Sequence, residues 1–513
     1  MLRPLVAPLA WMLVTGQTCL PGQTEAPTGE AGTPAAIPEG APEAMATIDR
    51  NDLREHASWL ADDERQGRHT GSPGQLAAAE YIRDHFAELK LKPLGDRGKY
   101  LQSYPLTHTY VHGNSQLSFG KTKVKTQFAI LPGGEDKLSL SGKFAWCGDG
   151  RPTQLPQSLK GRLPIVAFDR APRGSGPSAD MQAVNQYRSL ARQLERRDAR
   201  AGIVLLLGDP GPLGNTLNYN GLQPDQAQLQ YGNKQPRSID LPVPLFVMSG
   251  PAAIELLEHI GGEFEDGNYT PPTAKNLKAI GKLKIQLKTG KTKGLNVVAA
   301  VEGTDRKREA IVISAHHDHV GQRVDGDAFN GADDNASGSA ALLELAAAFA
   351  EQPASRTVIF LSISGEERGL WGSEYYADNS TWPLGKIVAN INIDMIGRAT
   401  PDGEGTEIQI TPSPKHRAYS TLVRTATQLG RRLDVSFVSG DRYYERSDHY
   451  NFAKKNIPVL FLCNGEHSDY HQVTDHADKL DYGRMETIAR LAYWTAFVTA
   501  QDPGKPKKLP AQR

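Results

Sequence analysis

Beyond Leu295 the chain alternates apolar, β-branched runs with a helical pattern, and this limits the folds open to it more than any other feature. The runs REAIVISA, RTVIFLSIS and GKIVANINI suit buried strands, and between the first two lies the helical stretch SGSAALLELAAAFAEQ. Strands alternating with helices predict an α/β fold: a mixed sheet, parallel in its centre, flanked by helices. Ligands of such sheets gather beyond the carboxyl ends of the strands. The residues at those ends therefore carry the functional reading.

Each end bears a side chain of metal-binding type. His316 and Asp318 follow the first run, Glu366 and Glu367 follow the second, and Asp394 closes the third. Between the first strand and its helix, FNGADDNASG sets Asp334 just ahead of the helix, with Gly331 and Gly338 permitting tight backbone. After the run PVLFLCN, the loop GEHSDYHQVTD supplies His471. A lone histidine near a strand end is usually solvated or hydrogen bonded, and an isolated Glu-Glu pair is usually a charged surface doublet. Donors recurring at several strand ends argue against both readings. Zinc takes imidazole nitrogen and carboxylate oxygen at about 2.0–2.2 Å, and two ions about 3.5–4 Å apart can share one carboxylate and one water. Adjacent glutamates diverge, so one can bind metal while the other faces the water as general base.

At 513 residues the chain exceeds one ordinary core, so two domains or one domain with a large insertion are expected. Lys+Arg and Asp+Glu are both 58, which gives no field to recruit nucleic acid or an acidic membrane. The cysteines, Cys19, Cys147 and Cys463, make neither a thiolate zinc motif nor a disulfide framework, so any metal must use N and O ligands and Cys147 and Cys463 are expected free. Residues 1–19 read as a secretory signal, too short to span a bilayer, with Cys19 a candidate lipid acceptor despite a poor preceding Gly16-Gln17-Thr18. Residues 20–46, rich in Pro, Gly, Thr, Ala and Glu, read as a disordered tether. Helices are expected over 52–63 and 75–91, with GRHTGSPG a turn between them. Short strand-like pieces and charged helices then form an inserted block over 126–265, and a basic-acidic linker over about 276–294 returns the chain to the core. The main domain is thus expected over 47–125 and 266–502, with a disordered tail at 503–513.

His316-x-Asp318, GADDNASG, SGEERGLWGS, NIDMIG and DYHQVTD follow one another in an order and spacing that resembles the M28 family of zinc exopeptidases, aminopeptidases related to glutamate carboxypeptidase. The likeness covers about 47–125 and 290–500 and implies the phosphorylase/hydrolase-like zinc-exopeptidase fold. The inserted block resembles a smaller β-rich protease-associated (PA) domain, with LKGRLPIVAFDR and ARAGIVLLL as its strand pieces. The resemblance implies two zinc ions: one held by His316, Asp334 and Asp394, the other by Asp334, Glu367 and His471, with Asp334 as the bridge. Asp334 is taken over Asp333 because family members keep an aspartate at that place. Glu366 would be general base and then acid toward a water held between the ions, and Asp318 would accept a hydrogen bond from the far nitrogen of His316. Tyr443 or Tyr444 would stand beside the site and help bind the oxyanion. His317, His319, His467 and His476 receive no role. Ser447-Asp448-His449 is not read as a serine triad, whose members come from separate loops.

The activity so implied is an exported aminopeptidase acting on peptides with a free N-terminus. Three alternatives stand beside it. An M28 carboxypeptidase would use arginines for a terminal carboxylate, a receptor-like protein would bind without catalysis, and a glutaminyl cyclase sits poorly with the paired glutamates. Oligomeric state leaves no mark in the sequence.

Overall fold

The computed structural model describes residues 38–168, 177–233, 239, 241–274, 276–399 and 407–512. The expected signal segment, Cys19 and most of the tether lie outside these residues. From 38 onward the tether is ordered instead: Glu43–Thr47 form a helical turn that buries Ala44 and Met45 in the main core. Two helices follow, Arg50–Leu60 and Pro73–Glu88, each starting and ending slightly earlier than expected. Their starts are fixed by caps, since Asp49 accepts from the Asn51 amide and Ser72 from the Gln75 amide. Leu53, Ala57 and Leu60 on the first, and Ala78, Ile82 and Phe86 on the second, recur at helical spacing and face the core.

The long strand β1 (Asn276–Val301) occupies the segment read as a linker. Leu283, Ile285 and Leu287 are buried while Lys282 and Lys288 are exposed, so the Lys-rich stretch has the two-residue period of a half-buried strand. β2 (Arg306–His316), β3 (Arg356–Ile363) and β4 (Ile387–Ile393) follow, then β5 (Glu407–Thr411) and β6 (Val459–Cys463). β2 pairs in parallel with β3 and β4, and β4 in parallel with β6; β1 on β3 and β5 on β6 are antiparallel. The sheet is therefore mixed with a parallel centre, as the sequence pattern predicts.

Every residue of β3 and β4 is buried, because helices cover both faces. Ile311 and Ile313 face the helices Gly338–Glu351 and Tyr482–Gln501, and Val312 packs on the other side with Ile359 and Leu361. Each such side chain contributes about 1.5–3 kcal/mol, so a slip of one residue would forfeit several at once. That register sets His316 opposite Ile363 and holds the strand ends at one rim.

After Val111 the chain leaves this sheet and builds a second one from Gln116–Phe119, Phe128–Leu131, Lys137–Trp146, Arg162–Phe168, Gly202–Leu206 and Leu245–Ser249. β1 belongs to both sheets: its first part pairs with Lys137–Trp146, and from Leu287 it pairs with Leu101–Val111. Two apolar clusters line the second sheet, one with Phe128, Phe144, Ile165 and Phe246, the other with Val166, Tyr187, Val204 and Val247. Cys147 lies in the latter and Cys463 at the end of β6, and neither forms a disulfide. The expected disordered tail is docked, with the Leu509 amide donating to Tyr419 O and the Thr421 amide to Lys507 O, both at 2.8 Å. Among the described residues no helix is long and apolar enough to cross a membrane.

Candidate metal centre

β2 delivers His316 to the rim and β4 delivers Asp394. β3 runs out through Gly365, which has φ +76 and whose missing Cβ would collide with the Tyr104 hydroxyl, so the turn into Glu366 and Glu367 requires glycine. Asp334 lies in the turn Ala332–Ser337, ahead of the helix Gly338–Glu351. His471 arrives on the loop after β6 with φ +54, a left-handed conformation that costs a side-chain-bearing residue energy and is retained where position matters.

These donors converge. His316 Nε2 lies 3.3 Å from both Asp334 Oδ1 and Asp394 Oδ1. His471 Nε2 lies 3.0 Å from Asp334 Oδ2 and 3.1 Å from Glu367 Oε2. Asp334 thus turns one oxygen toward each group. Glu366 stands with His316 and Asp394, with donor atoms all within 4.8 Å, and His319 stands equally close with Asp334, Glu367 and His471. The fit to a metal is seen in what the polypeptide leaves unmade. His471 Nε2, Glu367 Oε1 and both nitrogens of His319 are buried and make no hydrogen bond among the described residues. A buried polar atom without a partner costs about 1–3 kcal/mol, more when charged, and a set of imidazole nitrogens and carboxylate oxygens is the one zinc accepts.

The outer contacts fix the ligands. His316 Nδ1 lies 3.1 Å from the main-chain oxygen of Asp318, leaving Nε2 to face the centre. The carboxylate of Asp318 is 3.7 Å from that nitrogen. It is occupied elsewhere, accepting from Thr70 Oγ1 at 2.6 Å and from the Glu366 amide at 3.2 Å. The expected carboxylate-to-histidine bond is therefore replaced by a carbonyl, and Asp318 instead ties the Glu366 turn to Thr70 and the end of β2. Ser447 Oγ donates to Asp394 Oδ2 at 2.7 Å, and His449 stacks on Phe461 with ring centroids 4.5 Å apart, so Ser447 and His449 have separate structural partners. Asp333 accepts from the Gly397 amide and faces His467 at 3.2 Å, pointing away from the donors around Asp334. His317 hydrogen bonds to Ser362 and Gln75, and His476 to Asn330.

Charge is distributed unevenly. Burial, with Glu367, Asp394 and Asp448 adding to it, raises the Glu366 carboxyl well above the usual range despite His316. Burial opposes ionisation of Glu367 too, but His471 and His319 outweigh it and pull this carboxyl down to about 2. The two neighbouring glutamates are thus set apart, one suited to hold a proton and the other to stay anionic.

Tyr443 lines the cleft with Asp334, Glu366, Met395, Arg446, Phe461, Cys463 and Tyr470. Tyr444 does not line that cleft: it packs on His416 with ring centroids 4.2 Å apart. Sequence reasoning also passed over residues that complete the site. Tyr219, on the helix Gly211–Asn220 of the second sheet's block, places its hydroxyl 2.8 Å from His471 Nδ1. Arg68 in the turn GRHTGSPG is buried and donates to His317, Asn330 and Gly331 carbonyls, bracing the loops around the donors. Nothing local marks Tyr219, whereas the crowding of imidazoles in HHDH was a visible sign for His319.

A centrally parallel α/β sheet with this N/O donor set at its carboxyl rim defines an α/β protein with a candidate divalent-metal centre. The profile of peptidase family M28 matches residues 296–496 of the chain. It is 28% identical over 187 residues to a probable zinc metalloprotease of Leptosphaeria maculans, covering 34% of this chain and 43% of that one. It is 24% identical over 238 residues to aminopeptidase YwaD of Bacillus subtilis, covering 45% and 50%. The chain spans about half the length of the curated relatives it matches. A solved zinc aminopeptidase from Bacillus subtilis, BSAP, superposes with a TM-score of 0.52 at 16% identity over 88% of this chain and 96% of that chain, a likeness of fold.

Proposed function

We propose that this chain is an exported aminopeptidase that works with two zinc ions and uses Glu366 as its general base. The observation that carries the reading is Asp334, whose two oxygens face two separate donor groups. His316, Asp334 and Asp394 would hold one ion, and Asp334, Glu367 and His471 the other. When bound, the pair supplies acidity to a water and polarises the peptide carbonyl. The rest of the work falls to side chains. Glu366, half-buried and made basic beside His316, takes the proton from the attacking water and carries it to the leaving amine. The main-chain oxygen of Asp318 and the hydroxyl of Tyr219 hold the two histidine rings in the orientation that leaves each Nε2 lone pair free. Tyr443 borders the place where the oxyanion would develop.

Two details favour cleavage at a free N-terminus. Relatives named as aminopeptidases share the domain, and Arg446, the arginine that a substrate carboxylate would need in the cleft, is 2.7 Å from Glu466 and already paired. Residues 126–265 are read as a PA-like domain whose helix Gly211–Asn220 closes the His471 side, with Asn215 Nδ2 3.1 Å from Gln472 Oε1 as a second tie. Export, and lipidation at Cys19, are tested by N-terminal sequencing and mass of the mature protein.

The enzyme reading is tested with aminoacyl amides bearing free or blocked amines, before and after chelation. Hydrolysis of the free amines alone, lost on chelation and restored by zinc, is expected. Glu366→Gln should keep its zinc yet lose turnover by about 10²–10⁴-fold; a variant that turns over normally removes Glu366 from the mechanism.

A further inference from the structure

The half of the centre around Asp334, Glu367 and His471 contains one more imidazole than the proposed function uses. His319 is 0% exposed, and its Nδ1 lies 2.7 Å from Glu367 Oε1 and 3.9 Å from Asp334 Oδ2. The shorter approach is outside hydrogen-bond geometry, and both ring nitrogens are without a hydrogen-bond partner among the described residues. A neutral imidazole buried for packing alone would forgo about 1–3 kcal/mol for each bond left unmade. His317, two positions earlier and just as buried, shows the alternative, since both of its nitrogens are matched by Ser362 and Gln75.

The ring is also held in place. The His319 amide donates to Arg68 O at 3.1 Å. The His471 ring meets it edge to face, with centroids 5.5 Å apart. Gly331 lies so close to its face that a Cβ there would fall 2.5 Å from Cγ and Cδ2. Gly331 has φ +54, so steric room and backbone conformation call for glycine at the same place.

We propose that His319 is a fourth protein ligand of this half-site, a claim that rests on the dinuclear reading above. His319, Asp334, Glu367 and His471 together offer two imidazoles and two carboxylates, a donor set that zinc would accept. The other half, His316, Asp334 and Asp394, has three protein donors and lies beside Glu366. The half with more donors fills first.

Zinc X-ray absorption on the full chain, stripped by chelator and reloaded with one equivalent of Zn²⁺, tests this without a substitution. Two imidazoles per zinc at about 2.0–2.1 Å are expected. A single imidazole overturns the proposal, which has the four-donor half fill first. A chain that takes up no zinc sinks the dinuclear reading itself, so the two failures are told apart. His319→Gln, neutral and of similar reach, should lower the count to one imidazole and surrender its tightest zinc to a chelator at ~100-fold lower concentration. The metal-free variant should melt with metal-free wild type; a folded variant with an unchanged release curve overturns the ligand assignment.

Discussion

Two regions of this molecule bury acidic side chains, and they settle the charge differently. In the seam between the helices Arg50–Leu60, Gly338–Glu351 and Tyr482–Gln501, Glu486 is 1% exposed and lies 2.7 Å from Arg50 and 2.8 Å from Arg490. In the same seam Glu344 is pushed up to about 8, chiefly by burial, and keeps its proton at neutral pH. At the rim, Asp334, Glu367 and Asp394 have only histidines as ion-pair partners among the described residues. An unpaired buried charge costs several kcal/mol, against a whole-protein stability of about 5–15 kcal/mol. The chain therefore neutralises buried acid with arginine or a proton where folding alone is at stake. Asp334 and Glu367, both held below the usual carboxylate range, receive neither, which leaves negative charge for divalent cations.

The largest effect expected from this contrast follows from Asp334→Asn. Because Asp334 faces both donor groups, the variant should lose zinc from both, measured as metal per chain after dialysis, and its peptidase activity should fall to background. Zinc-loaded wild type should also melt above the stripped protein, since a ligand at 1,000 times its Kd stabilises by about 4 kcal/mol. A variant that keeps two zinc ions per chain breaks the comparison, for the rim would then not depend on the shared carboxylate. Arg490→Met should do the reverse. It leaves Glu486 with Arg50 alone and should cost about 3 kcal/mol in denaturant unfolding, with zinc content and KM unchanged.

Tyr219→Phe is a smaller perturbation and tests whether the inserted block belongs to the rim. Loss of one hydrogen bond to His471 Nδ1 should weaken zinc binding by about 10–100-fold. Metal titration of the stripped variant measures it, and an affinity equal to wild type would confine the inserted block to covering the cleft.

How far these regions were legible follows from what makes each. The strands of the parallel centre announce themselves because both faces are buried and the runs are apolar throughout, as in Ile387–Ile393. Their ends could be read for the same reason, so His316, Asp334, Glu366, Glu367, Asp394 and His471 were picked out from sequence, and only the preference for Asp334 over Asp333 came with the family's motifs. β1 was misread as a linker: the lysines of KLKIQLK mask a clean alternation, and a strand shared by two sheets has no compact signature. The burial of Met45 was hidden by its Pro- and Ala-rich surroundings. Tyr219 could not have been found, since 252 residues separate it from His471 and only the fold of the inserted block joins them. The proton on Glu344 was invisible as well, because ELAAAF reads as an ordinary amphipathic turn until its neighbours are known.

That proton supplies the smallest and most specific effect. Glu344 has a carboxyl raised from 4.5 to about 8 in the folded protein, so between those values the folded state holds a proton that the unfolded state has released. Stability from this group is fully present below pH 4.5 and is lost as pH rises toward 8. His56, 3.7 Å away, runs the other way: burial, helped by His85, pulls it down from 6.5 to about 4, so its contribution grows over that interval. Both partners are thus neutral near pH 7 and their contact is no ion pair. Glu344→Gln removes only the first titration, and subtracting the variant's melting curve from wild type cancels His56. The variant should melt with wild type at pH 5 and about 3 °C above it at pH 8. A melting gap that does not change with pH would mean Glu344 ionises inside the seam, and the seam would then tolerate bare charge as the rim does.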